Sequence, residues 1–148
     1  MRKVLLTVVS ALLALSVNCW VYAKGGVDMA KETQVRVIFE DKEAIVSMLD
    51  NSAARDFVSL LPLTVTLEDY ASAEKIYYLP RKLDVSSGQN AEQVKGDFCY
   101  YAPWGNLAIF YKGMGHSTSL YVLGRLESGK EDLAAMGKSF KATIELVR

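Results

Sequence analysis

The chain has 148 residues, with 17 Lys and Arg balanced by 17 Asp and Glu, so its formal net charge is zero. That balance, with no basic run, excludes electrostatic capture of nucleic acid and of an anionic membrane surface. With 51% apolar residues the chain can build one packed core, which matters because its two cysteines are too few for a disulfide framework.

The N-terminus reads as an address. Arg2 and Lys3 precede an apolar run from Val4 to Val17, and Val21-Tyr22-Ala23 supplies a small-x-small cleavage pattern. Those three parts in that order predict a secretory signal peptide over residues 1–23 and a periplasmic or secreted protein. Two rival readings fit less well. Asn18 breaks the apolar end of a would-be membrane anchor, and Asn18 and Ser16 are the wrong neighbours for a lipidated Cys19. Cleavage would leave 125 residues, one domain's worth, with 15 basic against 17 acidic side chains and Cys99 as the lone cysteine. Lys24 to Thr33, with Gly25-Gly26, reads as a flexible lead, and the domain is expected over 34–148.

Strand signals then dominate. Val35, Val37 and Phe39 alternate with polar or outward positions, and Asp41-Lys42 turns the chain into Ala44–Met48. Leu63, Val65 and Leu67 alternate with Thr64, Thr66 and Glu68. Further strands are expected at Lys75–Leu79, Asp97–Ala102, Leu107–Lys112, Tyr121–Leu126 and Phe140–Leu146. Such period-2 runs have one dry and one wet face, which suits an antiparallel sheet. Two short helices interrupt them. Ala54, Phe57, Val58 and Leu61 form one apolar stripe, capped by Asp50 or Asn51 and stopped by Pro62. Ser128-Gly129-Lys130-Glu131 matches a capping box, Leu133 and Met136 supply a buried side, and Gly137 is placed for a left-handed stop. About eight strands and two helices over one core predict a mainly β chain, a closed eight-stranded barrel, since closure removes exposed strand edges.

The segments Asn51–Thr64, Tyr78–Leu83, Gly96–Tyr111 and Leu123–Gly129, in that order, resemble the bacterial cyclophilin-like proteins across about residues 34–148. The resemblance implies a cyclophilin-like barrel with helices over its open ends, in a group without a settled activity. It also raises peptidyl-prolyl isomerase activity as an alternative function. True cyclophilins use an Arg beside the prolyl amide in an apolar, aromatic groove. Arg81, next to Pro80, is the residue here that matches that part. The departures are that Leu120 stands where the family has a His, no Gln-Phe-Phe run precedes Tyr111, and Trp104 lies in a turn.

Other chemical templates explain less. His116 beside Ser117 and Ser119 lacks a nucleophile elbow. Gly113-x-Gly115 lacks the helix that follows phosphate loops and reads as a flexible turn. One His with Cys99 cannot close a zinc site, and no motif asks for a cofactor. Cys99 reads as a small buried hydrophobe. What stands out is the aromatic set Tyr77, Tyr78, Tyr100, Tyr101, Trp104, Phe110, Tyr111 and Tyr121. Neighbours on a strand face opposite ways, so half of these rings belong to the core and half face out. The outward half predicts a groove for a peptide segment or small ligand, with Arg81, Tyr78, Tyr101, Trp104, Phe110 and His116 as candidate contacts. The expected function is a non-catalytic binding module, and another exported protein is an alternative partner.

Overall fold

The alternation of Val35, Val37 and Phe39 with Arg36 and Ile38 sets the pattern for the whole domain, because a strand places successive side chains on opposite faces. The computed structural model describes residues 32–87, 90–93, 95–113 and 115–148. Strands β1 (Gln34–Phe39) and β2 (Lys42–Met48) form the first hairpin, followed by helix α1 (Ser52–Val58). Next come β3 (Leu63–Tyr70), β4 (Glu74–Tyr78), β5 (Asn90–Gln93), β6 (Asp97–Tyr101) and β7 (Asn106–Phe110). The chain ends with β8 (Gly115–Ser128), helix α2 (Lys130–Ala135) and β9 (Ser139–Leu146).

The strand order β2-β1-β9-β3-β4-β7-β6-β8, with β8 returning to β2, closes eight antiparallel strands into a ring. This is the predicted barrel, and closure leaves none of the eight with a free edge. The seam between β2 and β8 explains Gly124. A Cβ there would lie 2.5 Å from the Ser47 carbonyl oxygen, so only glycine lets the two backbones approach. Inside the ring, Val35, Val37, Phe39, Val46, Leu67, Phe98, Tyr100, Leu107, Ile109, Leu123 and Ile144 form one cluster. Helix α1 adds Ala53, Ala54 and Phe57, and α2 adds Leu133. Phe57 meets Phe98 edge to face at 5.3 Å between centroids, a preferred aromatic geometry.

Several expectations need correction. A ninth strand, β5, lies between the strands expected at Lys75–Leu79 and Asp97–Ala102, where the sequence offered none, and pairs with β8 outside the closed ring. β8 is also far longer than expected, because Gly115 to Leu120 extend it to partner β5 and β6. Thus Gly115 and His116 sit in a strand rather than a flexible turn. The N-cap of α1 is Asn51, whose side chain accepts from the Ala54 N–H at 2.9 Å. The Ser128 capping box of α2 does not form. Gly129 occupies the cap with φ of 79°, and a Cβ there would strike Ala44 at 2.5 Å. Close packing of the helix start onto β2 has overridden the local capping pattern. Nor is Gly137 left-handed, since the chain leaves α2 through Met136 in an extended conformation.

Lys75 of β4 is 1% exposed, and its ammonium fills the gap below α2. It donates to Asp69 Oδ1 at 2.8 Å, to the Met136 carbonyl at 2.8 Å and to the Gly137 carbonyl at 3.2 Å. Three acceptors for three N–H donors leave no part of this buried cation unpaired. The expected signal peptide lies outside the described residues. Of the lead expected over 24–33, Glu32 and Thr33 are described, and the Thr33 carbonyl accepts from Met48 N–H at 2.8 Å.

Candidate functional site

The register of four neighbouring strands builds a second apolar layer on the outside of the barrel. β4 pairs Glu74 with Phe110, Ile76 with Ala108 and Tyr78 with Asn106 of β7. β6 pairs Cys99 with Ala108 and Tyr101 with Asn106, while β8 sets Val122 and Leu120 beside Cys99 and Tyr101. Partners in an antiparallel pair share a face, so these side chains lie together, opposite the core residues Phe98, Tyr100, Leu107 and Ile109. Cys99, Ala108, Phe110, Leu120 and Val122 form a buried cluster here, with Tyr101 packed on it. Burial, with the charges of Asp97 and Glu74, pushes the Cys99 thiol far up, so it is an inert filler.

At the edge of this layer lies a cavity of about 270 Å³. Phe110 and Leu120 supply its apolar lining, Tyr70, Tyr101 and Trp104 its rings, and Glu74, Asn106 and Ser117 its polar groups. Two turns position the rings. The β6–β7 turn is closed by the Gly105 N–H on the Tyr101 carbonyl at 2.9 Å, and Leu79 N–H holds the Gly105 carbonyl at 3.0 Å. Trp104 at its tip is 49% exposed and stands edge to face with both Tyr70, at 5.7 Å, and Tyr101, at 5.4 Å. The β3–β4 turn is tighter. Ala73 N–H reaches the Tyr70 carbonyl at 3.1 Å, and both central residues, Ala71 and Ser72, have φ of 52°. Side chains other than glycine and asparagine resist that conformation, so strain sits where the chain delivers Tyr70 and Glu74 to the cavity.

Two of the polar groups are short of partners. Glu74 is 8% exposed, and desolvation pushes its carboxyl up to about 7. Among the described residues no hydrogen bond or ion pair reaches it. Asn106 is 2% exposed; its Nδ2 donates to the Leu107 carbonyl at 3.0 Å, while its Oδ1 has no partner among the described residues. The carbonyl it meets can only accept, so the amide orientation is fixed with oxygen away from it. Buried polar atoms without partners are rare because each forgoes its hydration.

Of the six residues singled out from the sequence, the fold brings Tyr101, Trp104 and Phe110 into this one cavity. Tyr78 shares the outer face and is 55% exposed but does not line the cavity. His116 pairs with Glu92 across β5 and β8, next to the cavity residue Ser117, and its side chain lies outside the described atoms. Arg81 is elsewhere. Its guanidinium grips Asp56 of α1 through two bonds, at 2.8 and 2.7 Å, and also donates to Ser59 Oγ at 3.1 Å. That grip, helped by the Asp84 N–H, lowers the Asp56 carboxyl to about 2. Tyr70, Glu74 and Asn106 went unnoticed in the sequence. The available signal was period two: Glu74 shares a face with Ile76 and Tyr78, an acid on an otherwise apolar and aromatic stripe.

A second hollow, of about 490 Å³, lies beside Arg36, Leu61, Pro62 and Glu145. Its Arg36 and Glu145 are paired with each other. Among the described residues no cluster of three or more His, Cys, Asp or Glu is placed to hold a metal ion.

Comparison with known proteins bears on the fold. A family model described as the cyclophilin-like family matches residues 37–145. The chain is also similar to the solution structure of a hypothetical protein from Archaeoglobus fulgidus, at 16% identity and a TM-score of 0.57. That match covers 77% of this chain and 94% of the other. No curated protein matches the chain in sequence.

Proposed function

The chain belongs to the cyclophilin-like family, and from that premise we propose that it is an exported, non-catalytic module that binds a peptide segment or small ligand. The observation that carries this reading is the cavity of about 270 Å³ into which one hairpin delivers Tyr101, Trp104 and Phe110. Concave, largely apolar sites with a few convergent polar groups are the ordinary form of a ligand pocket. At roughly nine times the liquid volume of a water molecule, this one suits a single side chain or a small molecule. The signal-like N-terminus supports a binding event outside the cytoplasm.

The alternative, a weak peptidyl-prolyl isomerase, would need a free guanidinium beside the bound amide. Arg81 is committed to Asp56 and Ser59 and does not line the cavity, so binding without catalysis has the better support. The two readings separate in solution. In a Trp20→Phe chain, Trp104 is the lone indole, and its emission is expected to shift when a ligand enters. Trp104→Ala is expected to abolish binding measured by calorimetry. A broad panel of peptides and small molecules that leaves the Trp104 emission unchanged would sink the binding reading, and acceleration of Xaa-Pro exchange that depends on Arg81 would replace it.

A further inference from the structure

We propose that the cavity takes an organic ammonium group bearing N–H donors on an apolar stem, the chemistry shared by a lysine side chain and a small primary amine. The inference rests on the binding reading above and specifies its ligand.

Three observations converge on that chemistry. First, the two buried polar residues of the cavity carry acceptors. Glu74 offers a carboxyl group and Asn106 an Oδ1, each more than nine-tenths buried and without a partner among the described residues. One N–H of the Asn106 amide is already engaged by the Leu107 carbonyl at 3.0 Å, while its Oδ1 has no partner among the described residues. A ligand that presents hydrogen-bond donors satisfies the Asn106 Oδ1 and an ionised Glu74 together, and one that presents only acceptors leaves the Asn106 Oδ1 unmet. Second, the rings beside those acceptors are Tyr70, Tyr101 and Trp104. Aromatic faces attract cations, indole most strongly. The domain already uses this chemistry elsewhere, since the Lys75 ammonium lies 5.2 Å from the Tyr111 ring centroid. Third, Phe110 and Leu120 provide an apolar lining for a hydrocarbon stem.

The same geometry discriminates among cations. A quaternary ammonium would satisfy the rings but has no N–H for Glu74 and Asn106. A guanidinium would meet both, but its planar fork matches a bidentate carboxylate partner rather than two separate acceptors.

Glu74 must be ionised to hold the cation, which couples binding to pH. Among the described side chains, the other titratable or charged groups on the neighbouring strands are Asp69 and Tyr70 on β3, Lys75 on β4, Tyr111 and Lys112 after β7, Cys99 and Asp97 on β6, and Arg125 on β8. Lys75 is engaged by Asp69, and Arg125 Nε lies 3.5 Å from Asp97 Oδ1. The Glu74 carboxyl, which stands near 7, is therefore expected to set the pH midpoint of binding.

The test uses the whole chain and four probes: n-butylammonium, tetramethylammonium, 1-butanol and an end-blocked Gly-Lys-Gly peptide. Affinity is read by calorimetry, with NMR of the Trp104 indole and Asn106 amide to locate the probe. Butylammonium or the lysine peptide is expected to bind about tenfold or more tightly than butanol and tetramethylammonium, the scale of one charged hydrogen bond. Below pH 7 that affinity is expected to fall about tenfold per unit. Glu74→Gln is expected to remove both the preference and the pH dependence while thermal melting confirms a folded chain. Tighter binding of the peptide identifies a polypeptide lysine as the source; binding of butylammonium alone identifies a free amine. Butanol binding as tightly as butylammonium to the wild-type chain would overturn the ammonium inference and leave the pocket standing. Failure of every probe at the cavity overturns the ammonium inference, and the wider ligand panel above then decides the binding reading separately.

Discussion

Glu74 and Lys75 are consecutive, nearly sealed from water, and treated in opposite ways by the fold. Lys75 points to the core side of β4 and finds Asp69 and two carbonyl groups at the end of α2. Glu74 points to the outer side and finds rings and an equally unpartnered amide oxygen. A buried charge that is fully paired fixes structure, whereas one left unpaired at a cavity wall is held in readiness for something else. Burial alone therefore does not separate architecture from site; the partners do.

The comparison can be broken most directly at Lys75. Lys75→Ala takes the shared donor from two carbonyls and leaves Asp69 with the Tyr111 hydroxyl but no cation, and it is expected to cost about 3–5 kcal/mol. Chemical denaturation measures this; a loss below 1 kcal/mol would remove Lys75 from its structural role. Glu74 should behave in the contrary way. Its folded carboxyl stands at about 7 against an ordinary glutamate value of 4.5, so between those pH values the folded state holds a proton that the unfolded state releases. Stability is therefore fully present below pH 4.5 and falls as pH rises through 7, by about 3 kcal/mol. Glu74→Gln is expected to abolish that slope and to stabilise the chain at pH 8, read from urea midpoints across the pH range. A wild-type stability that rises over the same window would contradict the unpaired state of Glu74.

Smaller effects sharpen the same contrast. The strained β3–β4 turn is expected to relax in the double variant Ala71→Asn, Ser72→Gly, with a gain of about 1–2 kcal/mol. Urea denaturation measures the gain, and no gain would mean that these left-handed residues carry little strain. The smallest change is expected from Arg81→Ala. The Arg81–Asp56 pair is half exposed on its Arg side, and such pairs contribute little and are screened by salt. A melting temperature that drops slightly at low salt and not at high salt fits that picture; a large, salt-independent drop would not.

The barrel was legible because period-two alternation survives in the sequence wherever one face of a strand is dry. Val35, Val37 and Phe39, or Ala142 and Ile144, declare their orientation without help. The β6–β7 hairpin was legible through Pro103-Trp104-Gly105, and with it three of the cavity residues. β5 was not, because Asn90 to Gln93 carry no apolar alternation and owe their strand to the edge of β8 beside them. The α2 cap misled for a related reason. Ser128 has the right local chemistry, but Gly129 was required by contact with Ala44, a residue far away in the chain.

Sequence by itself determined the β-barrel class, the alternating core, the start of α1 at Asp50 or Asn51 and the aromatic hairpin, because these depend on patterns a few residues long. Only the tertiary structure decided which outward rings converge, that Arg81 is bound to Asp56, and that Glu74 and Asn106 share one cavity. Those outcomes depend on the register between strands distant in the chain, where a shift of one residue turns every side chain to the opposite face.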